Sequence, residues 1–101
     1  MLHIVNKSPF ENQTLESCLR VVGNAEGAAI LLIEDAVFAA SKGNSNASKI
    51  KAVMGKVKVY ALWPDVEARG MQDRVLEGIK MVDYSGFVDL VAEHSNCQSW
   101  L

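Results

Sequence analysis

Few side chains in this chain could do chemistry, and the first is a thiol. Cys18 lies in the stretch TLESCLR, directly after the polar turn KSPFENQ. Near a helix start, the positive end of the backbone dipole favours a thiolate, which can attack and carry sulfur. That field fades beyond the first turn. Leu15, Cys18, Leu19 and Val22 also follow the i, i+3, i+4, i+7 spacing of one helix face. The thiol therefore belongs to an apolar stripe, where free cysteine commonly packs as a small hydrophobe. Packing and sulfur carriage both remain open on the residues alone, with packing ahead.

Three aspartates form the second constellation. Asp35, Asp65 and Asp83 each follow closely on an apolar, strand-like segment. In open α/β sheets ligands bind beyond the carboxyl ends of the strands, so three carboxylates there suit a metal or acid–base site. Each aspartate also stands where a helix begins, and capping the free N–H groups there is the stronger expectation. His94 and Cys97, three apart, could join His3 and Cys18 around zinc, but two of those four ligands lack local spacing. His94 fits the last turn of a helix better, and His3, within LHIV, fits hydrogen-bonded packing. No Gly-x-Gly-x-x-Gly, Walker loop or Cys-x-x-Cys is present. Neither a cofactor nor a metal is therefore expected. Five of the seven lysines fall between Lys42 and Lys58. They could face an acidic partner or RNA, but no arginine or aromatic interleaves to make a stacking platform. A solvated face is expected, without direct nucleic-acid binding.

The elements that must position these groups alternate. Strands are expected at 2–6, 28–33, 58–62 and 79–82, with AAILLI long and apolar enough to be buried on both faces. Helices are expected from Thr14, as N-cap, to about Val22, closed by Gly23-Asn24, and from Glu34-Asp35 through AVFAAS. Two more should run from Pro64-Asp65 to about Gly70 and from Tyr84 to His94. KGNSNAS should be a loop. This alternation implies a single α/β domain over residues 1–101. Its architecture should be three α/β/α layers around a mostly parallel sheet of four to five strands. Half the 101 residues are hydrophobic, 22% are charged, and the net charge is −2. That composition suits an ordered globular protein and argues against a nucleic-acid footprint over the whole chain. No apolar run reaches membrane-spanning length, and MLHIV has no leader pattern. With two cysteines and no disulfide framework, a cytoplasmic protein with free thiols is expected.

Several separated segments then agree in order and spacing with one family. MLHIVNKSPFE, LLIEDAVFAA, KVYALWPDVEARG and VDYSGFVDL followed by QSWL resemble the DsrH/TusB family of DsrE-like proteins nearly end to end. Cys18 within LESCL matches the first-helix cysteine of DsrH-type members, which with the KSPFE turn tilts the resemblance towards DsrH. The resemblance implies a DsrE-like α/β fold and a place in a cytoplasmic persulfide relay. Its partners would be DsrE/TusD-like and DsrF/TusC-like subunits in a heterohexamer. Through that complex it would serve sulfur carriers of the TusA and DsrC/TusE type. Such relays act in intracellular sulfur oxidation or in 2-thiouridine formation at the tRNA wobble position.

The principal persulfide cysteine of these complexes lies on the DsrE/TusD subunit. The expected role here is thus mainly structural, with Cys18 an auxiliary sulfur carrier at most. The opposed reading is a self-sufficient sulfurtransferase with Cys18 as acceptor, and a third is an RNA-contacting subunit using Lys42 to Lys58. Cys97 matches no functional cysteine. The apolar composition, two tryptophans and the ending Trp100-Leu101 predict self-association when the chain is alone.

Overall fold

The computed structural model describes residues 1–8, 13–22, 27–43, 47–94 and 96–100. Its framework is one five-stranded sheet, all parallel. The strands are β1 (Leu2–Val5), β2 (Ala29–Leu32), β3 (Lys58–Leu62), β4 (Lys80–Val82) and β5 (Cys97–Trp100), in the order β4-β3-β2-β1-β5. The central strands LHIV and AILL are buried at every position, as strands covered on both faces must be. The helices are α1 (Thr14–Val22), α2 (Ala47–Val53), α3 (Trp63–Ala68) and α4 (Tyr84–Glu93), with a 3₁₀ segment at Glu34–Ala40.

The strand order dictates the layers. From β1 to β4 the chain steps across the sheet in one direction. Right-handed crossovers then place every connecting helix on the same face. There Leu15, Cys18 and Val22 of α1, Ile50 of α2 and Val66 of α3 join Val5, Ile30, Leu32 and Val59 in the larger core. The β4-to-β5 connection runs back across the whole sheet, so the same rule sends α4 to the opposite face. Its Leu90 and Phe87 pack on Leu2, Ile4, Ala29 and Leu31. Three-layer α/β/α architecture follows, with several helices on one face and, among the described residues, α4 alone on the other.

Two elements depart from expectation. The KGNSNAS segment gives way to α2 at Ala47, because buried Ile50 and half-buried Ala47 and Val53 form a short apolar face that two lysines and a serine disguise. Residues 44–46 of that segment, most of KSPFENQ and the Gly23-Asn24 stop lie outside the described residues. The second departure is β5. Its sequence CQSW is mostly exposed and has no apolar alternation to announce it. Smaller shifts occur at the ends: Thr14 is the first helical residue, with Ser17 N–H donating to Gln13 C=O at 3.1 Å.

Candidate functional site

Cys18 is where the stripe put it. It sits mid-way along α1 with no exposed surface, and Leu15, Leu19 and Val22 are buried beside it. Burying each of those aliphatic side chains contributes roughly 1.5–3 kcal/mol, so α1 is held down through the face that carries the thiol. Removal from water disfavours the charged form and pushes the Cys18 thiol from 9.0 up to about 12. Among the described residues no cationic partner offsets this; Arg20, two positions on, is exposed. Burial in the stripe therefore favours the protonated thiol. Cys97, by contrast, is exposed on β5.

The three aspartates divide. Asp83 is the N-cap of α4, its Oδ1 accepting from Gly86 N–H at 2.8 Å. Asp35 and Asp65 do not cap their own helices, which correct that expectation. Instead Arg69 ties them together. Its Nε and Nη2 donate to Asp35 Oδ1 at 3.1 and 2.9 Å, and Nη1 lies 3.7 Å from Asp65 Oδ1. Asp65 Oδ2 meanwhile accepts from Glu34 N–H at 2.7 Å. Glu34 adopts φ 49°, a left-handed conformation that costs a residue with a Cβ roughly 1–2 kcal/mol. The Arg69 guanidinium also lies 6.0 Å above the Phe38 ring. These contacts pin the 3₁₀ segment after β2 to α3 after β3.

That cluster is built to hold the 3₁₀ segment against α3. Its two carboxylates share one guanidinium, and Asp83 makes no contact with it among the described residues. No three His, Cys, Asp or Glu side chains among the described residues gather closely enough to hold a metal ion. The cluster also stands over β2 and β3, neighbours wound in the same direction. The topological switch point, where sheets of this kind open a ligand crevice, falls between β1 and β5. Arg69 was legible as the i+4 partner of Asp65 within WPDVEAR. Its reach to Asp35 depends on strand order.

The histidines and lysines complete the survey. His3 is 3% exposed on β1, and its Nδ1 accepts from Trp100 Nε1 at 3.0 Å. Indole N–H can only donate, so this bond requires a neutral imidazole carrying its proton on Nε2. Burial, and then the N-terminal ammonium, lower the His3 pKa below 6.5. His94 is the C-cap of α4, with its backbone N–H on Leu90 C=O. The four zinc candidates are thus not brought together. The lysine cluster disperses. Lys49 pairs with Glu16 across α2 and α1, holding that carboxyl below its ordinary range. Lys56 and Lys58 line a different hollow beside Tyr60 and Glu93. No helix among the described residues is long and apolar enough to cross a membrane.

With the geometry in place, likeness to known proteins becomes informative. Residues 7–97 match the family described as DsrH like protein. The chain belongs to the DsrH family. It is 37% identical over 100 residues to protein TusB of Pectobacterium parmentieri, covering 99% of this chain and 100% of that one. Protein TusB of Shigella flexneri is 36% identical over the same shares. The crystal structure of ychN protein from E. coli superposes with a TM-score of 0.84 over 97% of both chains, at 17% identity. That last likeness establishes a shared fold. Membership of the DsrH family bears out the resemblance read from the motifs, and the ychN-like sheet bears out the fold.

Proposed function

We propose that this chain is a mainly structural subunit of a sulfur-relay complex of the DsrEFH/TusBCD type. It works beside DsrE/TusD-like and DsrF/TusC-like chains and associates with itself when alone. End-to-end similarity to proteins named TusB favours the branch that ends in 2-thiouridine at the tRNA wobble position over sulfur oxidation. The observation that carries the structural role is the sealed Cys18 thiol. Relay requires a thiolate to attack the outer sulfur of a persulfide, forming a new S–S bond as the donor leaves as thiolate. A thiol held near 12 and shut from solvent does neither step while α1 stays on the sheet. Auxiliary carriage by Cys18 would need a partner that lifts α1. A self-sufficient sulfurtransferase would need that opening in the isolated chain.

The test is co-expression with DsrE/TusD-like and DsrF/TusC-like chains. The three should co-purify, and the complex carrying Cys18→Ala should pass persulfide sulfur to a TusA- or TusE-type carrier within about twofold of the unaltered complex, because its thiolate supplies no step. Loss of relay in an intact Cys18→Ala complex would assign Cys18 as a carrier. Failure of the three chains to associate would remove the structural role.

A further inference from the structure

β5 closes one side of the sheet, and its outer edge is open. In the β1–β5 ladder Leu2 N–H donates to Asn96 C=O at 3.0 Å, with Leu2 opposite Cys97. The N–H and C=O of one strand residue point to the same side, and successive residues alternate. Asn96, Gln98 and Trp100 therefore turn their backbone groups to β1, while Cys97 and Ser99 turn theirs outward. Among the described residues nothing takes them up except the Gln98 side chain, whose Nε2 reaches Ser99 C=O at 3.4 Å.

Folded proteins normally blunt such an edge with lysine, proline, a bulge or a cover. The opposite edge is blunted, since β4 is only three residues long and starts with exposed Lys80. The β5 edge carries no charge and no proline. It is also held rigid from behind, because half-buried Trp100 packs against the core and donates to buried His3. A strand so presented fits another strand, and a second copy offers the same uncharged edge with matching outward N–H and C=O groups and no like-charge repulsion.

We propose that β5 is the docking edge for a second copy of this chain, pairing antiparallel about a two-fold axis through Gln98. In that register Cys97 and Ser99 face the partner's Ser99 and the partner's Cys97. Each of these two symmetric pairs exchanges two N–H···O=C bonds, the hydrogen-bonded pairs of an antiparallel ladder. An offset by one residue would bring side chains of opposite faces together, so the register is restricted. The two sheets then run on as one, and no like charges meet in the joint. The interface is small, which places the dimer among weak, transient contacts.

This inference rests on the proposed self-association and names its surface. The experiment measures mass by light scattering on the full chain, across micromolar to submillimolar concentration. The expected species at the upper end has twice the 11.0 kDa chain mass. Ser99→Pro removes an outward N–H while sparing the β1 ladder, since proline is tolerated where its N–H would face solvent. It should be monomeric with an unchanged circular dichroism spectrum. If Ser99→Pro fails to fold, Cys97→Lys/Ser99→Lys replaces it, placing like charges opposite one another, and should likewise be monomeric. A wild type that stays monomeric throughout overturns both this surface and self-association. A dimer that survives in the folded variants overturns the surface alone.

Discussion

The sealed thiol gives a quantitative expectation about reactivity. Cys18 is fully buried and its pKa rises from 9.0 to about 12, three units that cut the thiolate fraction at neutral pH about a thousandfold. Access lowers the rate again, because alkylation then depends on opening. Unfolded populations of about 10⁻³–10⁻⁶ would limit it to a similar or greater extent. Cys97, exposed in the same molecule, is the internal reference. Timed iodoacetamide labelling at neutral pH, followed by peptide mass mapping, should show Cys97 consumed while Cys18 remains at least about a thousandfold slower. In guanidinium both should label together. The same displacement of pKa makes an equilibrium statement. Between pH 9.0 and about 12 the unfolded chain releases the Cys18 proton and the folded chain keeps it. Stability therefore falls with rising pH, by up to about 1.4 kcal/mol per unit, and Cys18→Ala should abolish that slope. Native labelling of Cys18 within tenfold of Cys97, or a persulfide adduct of about 32 Da on Cys18 in the folded chain alone, would refute the reasoning.

Other side chains carry sharper local expectations. His3 is neutral in the fold with its pKa below 6.5, so the unfolded state binds more protons in that window. Stability should decline as pH falls below 6.5, and His3→Leu should flatten that limb in melts recorded against pH. Asp83→Ala removes the cap on Gly86 N–H and should cost about 0.5–2 kcal/mol by denaturant titration. Arg69→Ala should cost about 1–2 kcal/mol and raise amide exchange at Glu34 and Asp35, the start of the 3₁₀ segment it pins, while leaving α1 protected. Binding of tRNA should stay in the non-specific range, roughly 10⁻⁴–10⁻⁶ M at physiological salt, because the lysines point to different surfaces. A submicromolar, salt-sensitive complex lost in Lys49→Glu/Lys51→Glu would contradict that.

Much of the fold was legible because burial on two faces leaves a plain signature. AILL read as a central strand of a parallel sheet, since a short continuous apolar run suits burial on both faces, and LHIV read as a strand that the fold then buries at every position. Leu15, Cys18, Leu19 and Val22 declared both a helix and its inward face. α2 and β5 were not legible for opposite reasons. α2 has too few apolar residues for its period to register among lysines. β5 is an edge strand seated by its backbone ladder and by Trp100, so CQSW had no need of β-branched residues. Trp100 read as a patch to hide, and it is in fact the anchor that seats this strand against His3.

The site divides along the same line. Features fixed within one helix could be read in advance: the inward turn of Cys18 and the cap at Asp83 both depend on residues within a turn of each other. Features joining separate elements could not be. Asp35 and Asp65 looked like two more caps until strand order placed β2 beside β3 and let Arg69 reach both. Once they are joined, the carboxylates are committed to a guanidinium and to the strained Glu34 amide, and little is left to offer a metal or a substrate. The thiol is committed to the core in the same way. Cys18 is engaged in the core and Asp35 and Asp65 with Arg69, whereas Cys97 is exposed on β5; α4 leaves Tyr84 and Val88 more than 60% exposed and, among the described residues, β5 leaves a backbone edge unpaired. The unspent bonding capacity of this molecule lies in its surfaces, and that distribution favours a subunit that works by holding other chains over one that works by its own thiol.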